Sequence, residues 1–196
     1  MSGPAGQGLL LASSSPRRLE LLRQARVEPE RIIAPEIDET PRPGELPRAC
    51  AARLAQAKAA AVAERETGWF VIAADTVVAC GRRVLPKALI AAEAEQCLTL
   101  LSGRRHRVIT AVCVVAPDAR TATRVVETTV RFKRLTRDEI RRYLASGEWH
   151  GKAGGYAIQG MAGALIPWIN GSYSNVVGLP LTETLAMLRG LGWHEP

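Results

Sequence analysis

Aromatic residues make up only 5% of this 196-residue chain, and lysines number 4 against 22 arginines. No run of about 18 apolar residues occurs, so the sequence predicts no membrane-crossing helix. Cys50, Cys80, Cys97 and Cys113 stand far apart, no C-x-x-C pair exists, and His106, His150 and His194 are isolated. Zinc-ligand spacing is therefore missing. Four reduced, mostly buried thiols are expected, as in a cytoplasmic protein. The opening MSGPAGQG has neither a basic n-region nor an A-x-A cleavage site, so no secretory signal is read there. Residues 1–7 are expected to form a disordered leader. The G-x-x-x-x-G-K-S/T phosphate loop is absent, and so are internal repeats and low-complexity linkers.

What is present is ordinary globular material with a basic bias. Hydrophobic residues are 47% of the chain and the formal net charge is +7. That length and composition predict a single domain over residues 1–196, with room for two small lobes. The charge fits a nucleic-acid binder or a protein that takes a small polyphosphate. A single-strand platform would interleave basic and aromatic residues, and no such run occurs.

Periodicity gives the order of elements. Gly8 to Ala12 reads as a buried strand, followed by a serine-rich turn. Ser15 suits an N-cap and Pro16 a first helical residue, with Leu19, Leu21, Leu22 and Ala25 on the apolar face. Arg31 to Pro35 reads as a short strand and Pro35 to Pro47 as an acidic, proline-rich loop. Arg48 to Glu66 is an alanine-rich helix. Trp69 to Cys80 is strand, broken by the polar pair Asp75 and Thr76. Ala91 to Leu101 is helix, and Val108–Ala116 with Thr123–Phe132 form an antiparallel pair. Thr136 and Glu139 have the spacing of a capping box. Gly151 to Gly178 is glycine-rich and expected to be irregular, with one short strand near Leu165–Ile169. A last helix starts at Pro180 and Thr182. Strands alternating with helices, plus one hairpin, indicate an α/β fold.

Five features bear on chemistry. Arg17 and Arg18 sit where a helix begins, and the dipole disfavours positive charge there. A polyphosphate in front of them would reverse that cost, with Ser13, Ser14 and Ser15 adding donors. Read alone, the pair is equally two solvated arginines. Asp75 and Thr76 follow an apolar strand, where α/β folds place ligands. Asp75 suits a general base or a magnesium ligand, and equally a turn-forming residue. Glu36, Asp38 and Glu39 are three carboxylates within four positions. One of them would suffice for a hard cation, and a solvated acidic loop is the plainer reading. Lys58, Lys87 and Lys152 can meet phosphates as point charges, although Lys58, in an alanine-rich helix, can equally extend its head to solvent. In the Gly151–Pro180 segment, Tyr156, Gln159 and Asn175 are polar groups among glycines and apolar residues. The Gln159 amide offers a donor beside an acceptor, which matches the edge of uracil or thymine among other amide-like edges.

LASSSPRRLELL (Leu11 to Leu22), AADTVV (Ala73 to Val78), LSGRRHRVITAV (Leu101 to Val112) and KAGGYAIQG…NGSYSNVVGLP (Lys152 to Pro180) together resemble the Maf family of nucleoside triphosphate pyrophosphatases. The resemblance runs from about Leu9 to Leu191, with four motifs in order. It implies an inosine triphosphate pyrophosphatase-like fold: an elongated mixed β-sheet flanked by helices, in two lobes with a central cleft. It also implies cleavage of the α–β phosphoanhydride of a nucleoside triphosphate and a divalent cation, Mg²⁺ or Mn²⁺. A cytoplasmic location, no membrane, no stable nucleic-acid partner and a possible homodimer go with it.

Asp75 falls on the family's proton-acceptor position. Arg17, Thr76 and Gln159 fall on positions that select substrate, and Ser13, Arg18, Glu36, Lys58 and Lys87 on other cleft positions. Asp75 and Glu36 are the implied metal ligands. The Lys152–Pro180 motifs resemble the branch acting on dTTP and UTP. The competing readings are a pyrophosphatase for 7-methyl-GTP or another modified nucleotide, and a non-enzymatic basic module that binds nucleic acid or a partner. One departure from the family pattern is LPKALI: Pro86 and Ala88 flank Lys87 where the family usually reads G-K-P.

Overall fold

The computed structural model describes residues 8–194; the expected leader at 1–7 lies outside them. In chain order the elements are β1 (Leu9–Ala12), α1 (Pro16–Gln24), β2 (Arg31–Ile33), α2 (Pro47–Ala63), β3 (Phe70–Cys80), β4 (Arg83–Leu85), β5 (Lys87–Ala88), α3 (Ala91–Leu101), β6 (Arg105–Val115), β7 (Thr121–Arg131), α4 (Arg137–Ala145), β8 (Lys152–Ala153), a 3₁₀ turn at Met161–Leu165, β9 (Trp168–Asn170), α5 (Tyr173–Val177) and α6 (Leu181–Gly190). The alternation is that of a mixed α/β protein, as the sequence predicts. No described helix is long and apolar enough to cross a membrane.

The chain divides into two compact units. One comprises the stretch ending at Asp75, Thr110–Val126 and the stretch beginning at Gly178; the other comprises Thr76–Ile109 and Glu127–Val177. In the first unit, β1 lies between β2 and β3 and is parallel to both. Every residue of β1 is buried, as a parallel strand covered on both faces requires. A run such as LLLA, with no polar alternation, is what such a position selects. In α2 the buried residues Ala51, Leu54, Ala55, Lys58, Ala59 and Val62 fall on one helical face. Lys58 therefore lies within the apolar stripe rather than beside it.

In the second unit β4 is antiparallel to β3 and β9 antiparallel to β7. The expected capping box is present. The Thr136 hydroxyl accepts from the Glu139 amide at 3.2 Å, and the Glu139 carboxylate accepts from the Thr136 amide at 3.0 Å.

Three expectations need correction. The strand over Trp69–Cys80 has no break: β3 runs through Asp75 and Thr76 unbroken. Asp75 is buried inside the strand, and its side chain finds a cation there, so the backbone need not turn. The Gly151–Gly178 segment carries β8, a 3₁₀ turn, β9 and α5, because its glycines are spaced by short apolar clusters that pack. Lys87, expected in a loop, is on β5, in register with Ala153 of β8. Flanking amides complete that ladder, Gly154 N–H to the Pro86 carbonyl at 2.9 Å and Gly151 N–H to the Ala88 carbonyl at 2.8 Å. The four cysteines are free, and Cys50, Cys97 and Cys113 are buried.

Candidate active site

The turn between β1 and α1 is organised by Ser13. Its side-chain oxygen accepts from the Ser15 amide and from Arg18 Nη1, both at 3.1 Å. Ser15 is at the N-cap position, but its own side chain makes no cap bond. Pro16 then opens the helix with φ preset and no amide hydrogen to satisfy. Arg18 Nε donates to the Gly178 carbonyl at 2.9 Å. Arg18 is thus tied to the turn on one side and to the Gly178 carbonyl on the other. Arg17, one residue earlier, makes no hydrogen bond among the described residues and is partly exposed.

No acidic residue occupies the first turn of α1. Both arginines therefore add positive charge where the helix already presents unpaired N–H groups. Desolvation lowers the Arg17 guanidinium below its ordinary range, and Glu20 opposes the shift. Desolvation likewise lowers Arg18, with Asp75 and Glu39 raising it and Arg17 lowering it further. Positive charge held here out of water is charge that a bound anion would favour.

Lys58 is the centre of the second feature. Its Nζ lies 2.6 Å from Asp75 Oδ1 and 2.8 Å from Glu39 Oε1. Lys58 and Asp75 are only 4% and 3% exposed, so this is an ion pair removed from water rather than a surface contact. The lysine does not extend its head to solvent, because the stripe of α2 carries it onto the buried strand β3. Glu39 is partly exposed and Glu36 is exposed. The structure places Glu39 against Lys58. Glu36 joins no ion pair among the described residues. Asp38 instead closes its own turn, accepting from the Thr40 amide at 2.9 Å.

Ser13, Arg18, Lys58 and Asp75 therefore come together in the first unit, with Arg17 next to them in sequence. Glu39, one of the three carboxylates weighed from the sequence, and the Gly178 carbonyl, which sequence reasoning missed, complete the group. The site holds two carboxylates of an oxygen-only donor set that share one lysine. Among the described residues no cluster of three or more His, Cys, Asp or Glu is placed to hold a metal. Two carboxylates still suit Mg²⁺, which takes one or two protein carboxylates and completes its shell with phosphate oxygens and water.

The second unit carries Thr76, Lys87 and Gln159. Thr76 follows Asp75 on β3 and is partly exposed; Lys87 and Gln159 are exposed. The backbone leading to Gln159 is held by two buried phenols. The Tyr143 hydroxyl accepts from the Ala157 amide at 3.0 Å. The Tyr156 hydroxyl shares a 2.7 Å hydrogen bond with His106 Nε2, and its ring meets Phe132 edge to face, with centroids 5.1 Å apart. Gly155 precedes them at φ +67°, where a Cβ would lie 3.0 Å from Ala94 Cα, so only glycine fits. Burial pushes the Tyr143 phenol up to about 12 and raises Tyr156 as well. Both are neutral donors and acceptors under all ordinary conditions.

Burial pushes the His106 imidazole down to about 4 from an ordinary value of 6.5, and its Nδ1 has no hydrogen-bond partner among the described residues. The folded chain therefore keeps His106 neutral at pH values where the unfolded chain protonates it. The unfolded state binds the extra proton below pH 6.5, so stability is full above that value and declines as pH falls towards 4. The expected loss is about 3 kcal/mol at the lower end. Urea denaturation at pH 7 and at pH 4.5 measures it. A His106→Gln variant should show a clearly smaller drop between the two, and an equal drop would remove His106 as its source.

Comparison with known proteins agrees in extent with these features. The profile of one family, described as Maf-like protein, matches residues 8–191. A protein named dTTP/UTP pyrophosphatase from Nitrobacter hamburgensis is 58% identical over 191 residues, 94% of this chain and 92% of that one. One of the same name from Paramagnetospirillum magneticum is 60% identical over 185 residues, 94% of this chain and 97% of that one. Among solved structures, a nucleoside-triphosphatase / dITP/XTP pyrophosphatase from Mycobacterium abscessus is similar at 19% identity and a TM-score of 0.44, covering 94% of this chain and 98% of that one. That last likeness is too loose to carry weight.

Proposed function

This chain belongs to the Maf family, and from that premise we propose that it hydrolyses dTTP and UTP to the monophosphate and pyrophosphate. The observation that carries the reading is the buried Lys58–Asp75 pair, at 2.6 Å, beside the cationic start of α1. A carboxylate fixed by a buried cation at such a site suits a group that takes a proton from water in front of a polyphosphate.

In the proposed mechanism Arg17 and the positive end of the α1 dipole bind phosphate oxygens, while Arg18 holds the Ser13 turn in shape. Lys58 engages Oδ1 of Asp75, which leaves Oδ2 to accept a proton from the water that attacks the α-phosphorus. The bond from that phosphorus to the bridging oxygen breaks, and pyrophosphate leaves. Lys58 holds the carboxylate in place. A divalent cation, when bound, would neutralise charge on the triphosphate oxygens. Asp75 would hold it, with Glu39 or Glu36 as second carboxylate; Glu39 is the one that shares Lys58 with Asp75. Thr76 and Lys87 contact the substrate, and Gln159 reads the O4 acceptor and N3–H donor of the pyrimidine.

The test is pyrophosphate release across a panel of nucleoside triphosphates, with Mg²⁺, with Mn²⁺ and with chelator. Turnover of dTTP and UTP that disappears in chelator and returns with Mg²⁺ is the expected result. Gln159→Glu should lower the preference for dTTP and UTP over purine nucleotides about tenfold, since one charged-for-neutral change removes the amide donor. Unchanged relative rates would remove Gln159 from base recognition.

A further inference from the structure

A second concentration of positive charge lies wholly within the second unit. Arg104, Arg131, Lys133 and Arg134 line a cavity of about 660 Å³ together with Ser102 and Pro167. None of these residues belongs to the candidate active site. Lys133 is paired with Glu139. Arg104, Arg131 and Arg134 have no carboxylate partner among the described residues. Four cations thus face one cavity against one carboxylate, an arrangement that repels itself when nothing sits between the charges.

The walls are rigid. The Gly103 amide donates to the Lys133 carbonyl at 3.0 Å, the Phe132 amide to the Arg104 carbonyl at 3.1 Å, and the Leu135 amide to Ser102 Oγ at 2.8 Å. These bonds join residues 102–104 to 132–135. Trp168 stands beside the cavity with Arg105 and Arg131 at its ring, 5.1 and 5.9 Å from the centroid. The negative face of the ring favours guanidiniums held at these distances.

We propose that this cavity is a second anion site, separate from the candidate active site, that takes a compact polyphosphate such as inorganic tripolyphosphate through the forked donors of Arg104, Arg131 and Arg134. Guanidiniums match phosphate oxygens two at a time, as ammonium groups do not. An extended nucleic acid would need open aromatic faces along its track; of the two rings here Phe132 is buried and Trp168 carries two guanidiniums.

The test is calorimetric titration of the full chain with inorganic tripolyphosphate, with dTTP turnover followed in parallel. Arg104→Gln with Arg134→Gln should weaken one class of site about a hundredfold, through two lost charge-assisted contacts, while turnover persists. Arg104→Lys with Arg134→Lys keeps the charge and loses the fork, so it should fall between the two. An unchanged isotherm in the glutamine variant would overturn the proposal. So would a variant in which only binding of a single-stranded oligonucleotide is weakened, since the cavity would then be a nucleic-acid contact.

Discussion

Asp75→Asn is expected to lower pyrophosphate release from dTTP and UTP by about 10²–10⁴-fold, the range for losing a general base. Asparagine keeps the shape and can still accept a hydrogen bond from Lys58 at the 2.6 Å position. What it loses is the negative charge and the capacity to take a proton. The fold should survive, because Lys58 retains Glu39, at 2.8 Å, as a partner for its charge. Steady-state rates with both nucleotides, beside a thermal melt, separate the two effects. A rate loss with a nearly unchanged melt places the effect on the chemistry. An active Asp75→Asn protein would sink the assignment of Asp75 as base. A rate loss that tracks a large drop in stability would leave that assignment without support.

The fold was readable from the sequence wherever a local signal was strong by itself. The unbroken apolar run of β1, the proline at the start of α1 and the Thr136–Glu139 spacing each put an element where the structure has it. The break read at Asp75 and the outward reading of Lys58 have one cause. Sequence reasoning treats a polar residue inside an apolar stretch as an interruption, and here two such residues satisfy each other. Asp75 reads as a break in β3 only if its partner is unknown, and Lys58 reads as solvent-bound for the same reason. The signal was available: Lys58 falls on the Ala51–Leu54–Ala55–Ala59–Val62 face and so has to be buried with the rest. A buried lysine implies a buried carboxylate, and Asp75 sits on a strand with no other polar residue before it. Glu39 could not be separated from Glu36 and Asp38, because the acidic loop has no periodicity to say which side chain turns inward. The cavity at Arg104 and Arg134 was also out of reach, since its two walls are about 30 positions apart.

Lys58→Met tests that pairing directly through stability. The substitution keeps the apolar stem of the stripe and removes the ammonium, which leaves Asp75 buried without its hydrogen-bonded cation. Breaking a buried pair from one side costs about 3–5 kcal/mol, which for a chain of this size lowers Tm by about 10 °C. The two partners are not equivalent. Asp75→Asn leaves Lys58 against Glu39, whereas Lys58→Met leaves Asp75 only the longer-range field of Arg18. Lys58→Met should therefore be the more damaging single change. Adding Asp75→Asn to Lys58→Met removes the stranded charge and should recover part of the loss. Urea denaturation of the parent, both single variants and the double variant closes the cycle. A coupling energy of at least about 1 kcal/mol is expected for residues in such contact. Additive losses would mean that the two side chains do not depend on each other in the fold, and that Asp75 is held in place by something other than Lys58.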